Sequence, residues 1–157
     1  AQRYDSPQCM ADQSPWHRVN NNNGEGMDKL SWSDTLAIGI KEIDRHHQEL
    51  IDIRNKLVDC CKLDDAPHSE AFHNILAELF SYSRTHFTAE EALMQAIEYP
   101  DFSSHKDEHH EFIEQIVDIS IGVAKDPAIH NKALDFVTEW LVTHLLQTDL
   151  RIRDHTE

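Results

Sequence analysis

Apolar residues recur at intervals of three and four along most of this chain, in four stretches separated by short polar or proline-bearing breaks. The first, about 41 to 63, aligns Ile43, His47, Leu50, Ile51, Arg54, Leu57, Val58 and Cys61. The second, about 69 to 97, aligns Phe72, Ile75, Leu76, Leu79, Ser83, His86, Glu90, Leu93 and Ile97. Tyr99-Pro100-Asp101 interrupts the pattern, because proline cannot continue the hydrogen-bond ladder. A third stretch, about 103 to 124, aligns His105, His109, Phe112, Ile116, Ile119 and Val123, and Asp126-Pro127 ends it. The fourth begins near Ala128 and carries Leu134, Val137, Trp140, Leu141, His144, Leu145 and Thr148.

Each stretch has the period of an amphipathic helix. Helices of roughly 20 residues joined by short links predict an all-α, up-down-up-down antiparallel four-helix bundle. With 4 glycines and 5 prolines the chain has few breakers, which argues against a turn-rich β fold. Residues 1–29 lack the period and carry Pro7, Pro15, the Asn20–Asn23 run, Gly24 and Gly26. They are expected to form an irregular tail, with Met27 a candidate initiator, and 30–157 the folded domain. Trp32, Leu36, Ile38 and Ile40 form an apolar lead-in.

The telling feature is which polar residues share the apolar stripes. His47, His86, Glu90, His105, His109 and His144 all fall where core is expected. A buried ionisable group without a partner costs several kcal/mol, so each needs compensation. Singly, each has an ordinary explanation: a lone core histidine is usually just hydrogen-bonded, and Arg54 is a candidate partner for Glu90. Together they form a pattern. His86 with Glu90 and His105 with His109 stand at i,i+4, one turn apart on one face. Six or seven convergent N and O donors without cysteine suit iron or manganese. They exceed the four that one zinc takes. Two metals bridged by carboxylates fit that count.

Asp149 follows His144 by five residues, which is about 140° round a regular α-helix. A local π-type widening, with i→i+5 bonds, would bring the two into line. Without it Asp149 reads as an exposed acid. Two doublets leave a choice. His47 shares its stripe with Ile43, Leu50, Ile51 and Arg54 and is preferred to His46; His109 is preferred to His110 because it lies one turn from His105. His46, His110, His17, His68, His73, His130 and His155 are expected at the surface or just outside the site.

Charge narrows the partners. With 29 acidic against 14 basic residues and a net charge of −15, the surface repels phosphate backbones and anionic lipid heads. No apolar run approaches the roughly 18 residues of a membrane span, and the N-terminus has no signal-peptide layout, so the cytoplasm is expected. Cys9, Cys60 and Cys61 are too few and too badly spaced for a disulfide framework. They read as reduced thiols, with a redox switch at Cys60-Cys61 the alternative.

Four ordered segments carry a family likeness: 39–50 around Asp44-Arg45-His46-His47, 86–94 around His86-Phe87-Thr88-Ala89-Glu90, 99–112 around His105 and His109, and 140–149 around His144 and Asp149. Together they span about Trp32 to Arg153, and the sequence resembles the bacterial branch of the hemerythrin family. That resemblance implies two irons joined by an oxo or hydroxo bridge. His105, His109 and His144 would hold one, His47 and His86 the other with a position open to O2, and Glu90 and Asp149 would bridge them. The family's oxygen pocket falls on Leu50, Phe87, Trp140, Leu141 and Leu145. Two positions depart from the family pattern: His46 stands where glutamine is common, and Ile152 where tyrosine is common.

The expected function is reversible O2 binding without turnover, as a carrier or as the sensing module of a signalling protein. Bacterial relatives occur alone or joined to chemoreceptor or cyclic-dinucleotide cyclase outputs, and the tail favours a module followed by such an output. A diiron oxidase, peroxidase or iron-storage protein is the alternative. Those sites are carboxylate-rich and use Glu-x-x-His motifs, which the ligand-bearing segments lack. A metal-free interaction bundle would leave six buried polar residues to find other partners.

Overall fold

The computed structural model describes residues 28–63, 65–123 and 125–156. Among them are α1 (Lys41–Cys61), α2 (Glu70–Ala96), α3 (Phe102–Gly122), α4 (Ile129–Thr143), a π segment (His144–Asp149) and α5 (Leu150–Thr156), with 3-10 turns at Asp34–Leu36 and Ala66–His68. No strand occurs among the described residues. Helix α1 packs on α2, α2 on α3, α3 on α4 and α4 back on α1, which closes the ring of an antiparallel four-helix bundle. The tail expected over 1–29 lies outside the described residues up to position 27, as do Cys9 and His17.

Local chemistry sets the helix ends. Ser69 caps α2, its hydroxyl accepting from Phe72 N at 3.1 Å. At the far end of α2, Glu98 adopts φ 51, and the amides of Glu98 and Tyr99 return to Gln95 and Met94 carbonyls at 3.2 and 2.9 Å. This is the 5→2 and 6→1 pair of a Schellman termination, with glutamate where glycine is usual. Pro100 follows, and α3 starts afresh at Phe102.

The lead-in is strapped to the bundle. Asp44 accepts from the amides of Ile38 and Gly39 at 2.7 and 3.2 Å. Asn55 exchanges two hydrogen bonds with the Leu30 backbone, at 2.9 and 2.8 Å. The buried Arg54 guanidinium donates to Thr138 Oγ1 on α4 at 2.9 Å and to the Asp28 carbonyl at 2.7 Å. Asp28 and Lys29, placed in the tail by sequence, therefore already contact α1, where Lys29 also pairs with Asp59 at 2.9 Å.

One half of the interior is apolar. Leu57, Phe72, Leu79, Phe112 and Val137 are wholly buried there. Four expected stripe positions are only half-buried, Cys61, Leu93, Ile97 and Trp140, and beside the first two Cys60 and Met94 are buried instead. Over about six to seven turns the stripe drifts relative to a strict heptad, so its ends slide by one residue. A second, smaller apolar cluster holds Met94, Tyr99 and Ile152, and the buried histidines gather beside it, with His105 6.3 Å from Tyr99 between ring centroids.

Candidate metal centre

Seven donors converge from all four rods. His47 comes from α1, His86 and Glu90 from α2, and His105 and His109 from α3, while His144 and Asp149 stand at the two ends of the π segment. Each is 2 % exposed or less. The widening expected from the five-residue spacing is present: His144 Nε2 lies 2.9 Å from Asp149 Oδ1. Asp149 is fully buried, so the reading of it as an exposed acid fails.

The donors form two groups, each with its ligand atoms within 4.8 Å of one another: Glu90, His105, His109 and His144; and His47, His86, Glu90 and Asp149. Glu90 belongs to both. Its Oε2 lies 3.2 Å from His109 Nε2, 3.4 Å from His86 Nε2 and 3.6 Å from His105 Nε2. Asp149 also straddles the pair, with Oδ2 3.0 Å from His47 Nε2 and Oδ1 3.1 Å from His105 Nε2.

Buried polar atoms normally find hydrogen-bond partners. Here Nε2 of His47, His105, His109 and His144 and all four oxygens of Glu90 and Asp149 have none. Stranding a buried polar group costs about 1–3 kcal/mol, so eight such atoms facing one another need something between them. Divalent metals satisfy imidazole and carboxylate lone pairs together, and the donor set fits two of them. Arg54 is not the partner of Glu90; its guanidinium is turned to Thr138 and the Asp28 carbonyl.

As protein groups alone the cluster is strained electrostatically. Burial pushes His86 down to about 3, despite Glu90 and Asp149. Burial also opposes charge on His144 and His105, yet Asp149, Glu90 and, for His144, Glu108 raise them to about 10 and about 9. Burial would raise both carboxylates, and the charge of Asp149 would raise Glu90 further. Their imidazole neighbours win, holding Glu90 at about 2 and Asp149 well below the usual range. Two buried anions thus retain protons on His105 and His144 and leave His86 neutral.

Around the donors lies a set of partners that helical periodicity does not single out. Glu108 Oε2 lies 2.8 Å from His144 Nδ1 and accepts from Thr148 Oγ1 at 2.8 Å. Glu91 Oε1 is 3.0 Å from His109 Nδ1. His46, 4 % exposed, sets its Nδ1 3.4 Å from His86 Nδ1. The only hint in sequence is adjacency, since Glu91 follows Glu90 and both Glu108 and His46 precede a preferred histidine. His110, His68, His73 and His155 are exposed, and His130 is half-buried.

Of the five apolar positions expected to form a pocket, two have ring contacts with the donors. Leu50, Phe87, Leu141 and Leu145 are buried and Trp140 is half-buried. Phe87 stacks on His109 at 3.9 Å between centroids and 7°, and Trp140 on His144 at 4.2 Å and 14°. Phe87 is also 5.6 Å from the His86 ring, so it touches both donor groups.

An antiparallel bundle with a buried five-histidine, two-carboxylate cluster defines a class of metal-binding helical proteins. Residues 38–152 match the family model of the hemerythrin HHE cation binding domain, and the chain belongs to the hemerythrin family. A bacteriohemerythrin of Clostridium acetobutylicum is 32% identical over 122 residues, covering 75% of this chain and 94% of that one. A hemerythrin-like protein of Naegleria gruberi is 27% identical over 125 residues, covering 79% and 91%. A wild-type hemerythrin crystal structure superimposes with a TM-score of 0.71 at 26% identity, over 80% of this chain and 95% of that one.

Proposed function

We propose that this chain holds two irons and binds O2 reversibly between them and the apolar residues beside them. One observation carries the reading: two buried donor groups share Glu90, the arrangement a carboxylate-bridged metal pair needs. In this reading His105, His109 and His144 hold one iron and His47 and His86 the other, which has fewer protein ligands. Glu90 and Asp149 would be shared between the two, and an oxo or hydroxo group would complete the centre. The iron pair, when bound, supplies the electrons that O2 binding requires.

The protein's own contribution is placement and dryness. The i,i+4 pairs and the π segment set donor directions before any metal arrives. Leu50, Phe87, Trp140, Leu141 and Leu145 keep water from the bound O2, and water exclusion opposes loss of reduced oxygen species from such a pocket. Five nitrogens against two carboxylates favour O2 binding over the carboxylate-rich chemistry of diiron oxidases and iron-storage proteins.

The same chemistry serves a cytoplasmic carrier or the sensing module of a signalling protein. The sensing form has one support: α5 continues without a break from the segment bearing His144 and Asp149, so that a shift at either donor would move that helix. No described helix is long and apolar enough to cross a membrane.

The test is direct. Iron-loaded protein is expected to carry two irons per chain and show near-ultraviolet bands of a bridged diferric pair. After anaerobic reduction it is expected to colour in air and lose that colour under vacuum. Failure to retain iron, or irreversible bleaching with release of peroxide, would overturn the reading.

A further inference from the structure

We propose that Glu91 and Glu108 are positioning residues that make the three-histidine position the tighter of the two metal positions, so that a first equivalent of metal settles there. The proposal rests on the two-metal reading above.

The two donor groups are backed unequally. In the group of His105, His109 and His144, two imidazoles turn Nδ1 onto a carboxylate: His109 onto Glu91 at 3.0 Å and His144 onto Glu108 at 2.8 Å. In the group of His47 and His86, neither imidazole meets a carboxylate on that side. His86 Nδ1 faces the imidazole of His46 at 3.4 Å, and His47 Nδ1 has no hydrogen-bond partner.

A carboxylate that accepts from Nδ1–H fixes the tautomer, leaves the Nε2 lone pair toward the metal, and makes that nitrogen more basic. An imidazole partner such as His46 can fix a tautomer but lends no negative charge. Loss of such an outer partner typically weakens metal binding about 10–100-fold, so two carboxylates on one side are enough to separate the two affinities.

Orientation reinforces the asymmetry. Thr148 donates to the same Glu108 oxygen that holds His144, so one carboxylate on α3 ties down two residues of the π segment. Phe87 and Trp140 lie flat on His109 and His144, fixing the ring planes that the two glutamates fix at the edge. The ring contacts of His47 and His46 with His86 are edge-on.

The test titrates the full chain, stripped by chelation, with cobalt(II), read by visible absorption and calorimetry. Wild type is expected to fill in two steps separated by about 100- to 10,000-fold, a factor of about 10–100 for each carboxylate. Glu91→Gln and Glu108→Gln remove charge at nearly constant shape, and each is expected to weaken the first step by about 10–100-fold while leaving the second nearly unchanged. Glu108→Asp, which restores the charge, is expected to recover part of the loss. His46→Ala is expected to weaken the second step only, and far-ultraviolet dichroism checks that every variant is folded. Two indistinguishable steps in wild type, glutamine variants with an unaltered first step, or equal weakening of both steps would overturn the proposal. Uptake of fewer than two metals by wild type would instead overturn the two-metal reading beneath it.

Discussion

His144 and Asp149 are separated by five residues, yet both face inward, with Nε2 and Oδ1 2.9 Å apart. The π segment between them absorbs one extra residue per turn, so i and i+5 share a face as i and i+4 do in an α-helix. Register, not ligand identity alone, therefore places Asp149. Inserting one alanine between Gln147 and Thr148 is expected to turn Asp149 by about 100° and lower metal content from two toward one. Deleting the exposed Gln147 leaves His144 and the aspartate four apart in a regular helix and is expected to retain both metals. Metal analysis of the two purified variants decides it. Loss of metal from the deletion, or full loading of the insertion, contradicts the register argument.

The His109-His110 doublet is a sharp internal control. His109 is fully buried against Glu90 and Phe87, whereas its neighbour is exposed. His109→Ala is expected to abolish the bridged-iron absorption, and His110→Ala to leave it essentially at the wild-type level. Absorption spectra of the two iron-loaded variants, measured side by side, check this. A spectrum kept by His109→Ala and lost from His110→Ala would mean that the choice between the two histidines is wrong.

Most of the bundle is legible in the sequence, and so are the stripe positions of His47, His86, Glu90, His105, His109 and His144, because that signal is periodic; Asp149 joins them only through the family resemblance. A donor on an apolar stripe announces itself by being the wrong kind of residue in the right place, as His47, His86 and Glu90 do. Even the π segment is readable, since five-residue spacing conflicts with an inward Asp149 in a regular helix. Glu91 and Glu108 are not legible for the opposite reason. They sit on the shoulders of their helices, where an acidic residue in this acidic chain is unremarkable. Only the packing of α2 on α3 and of α3 on the π segment brings them to His109 and His144. The slips at Cys60 and Met94 have a third cause, the phase drift that accumulates toward helix ends.

The end of α2 offers a stability prediction separate from the metal chemistry. Glu98 holds φ 51, a left-handed conformation that costs a residue bearing Cβ about 1–2 kcal/mol. Both amide bonds of the termination are formed by backbone and do not need the glutamate side chain. Glu98→Gly is expected to raise stability by about 1 kcal/mol, the strain relieved less the extra entropy of glycine in the unfolded chain. Denaturant unfolding of metal-loaded protein measures it. A loss of stability would mean that the Glu98 side chain makes a compensating contribution.

Acidity opposes metal loading, and the sign follows from the cluster's own proton affinities. Near neutrality His144 and His105, raised to about 10 and about 9, retain protons that a metal must displace. Each displaced proton makes apparent affinity rise about tenfold per pH unit, as long as pH stays below that histidine's own value. Affinity should therefore climb from about pH 6.5 to 8.5 and flatten above about 9 to 10. The stripped chain should show the reverse in its folding. A histidine raised on folding contributes stability that is complete below its unfolded value of about 6.5, and that is lost as pH rises through about 9 to 10. Glu90, lowered on folding, contributes stability above about 4 that is lost as acid approaches about 2, and Asp149, held well below the usual range, acts in the same direction. Stripped protein is thus expected to weaken above about pH 9 while the loaded protein does not, because metal has replaced the protons that bound imidazole to carboxylate. Chelator competition and thermal unfolding across about pH 6 to 10, with and without metal, test both halves. Parallel pH profiles for the two forms would show that these seven side chains do not exchange protons for metal.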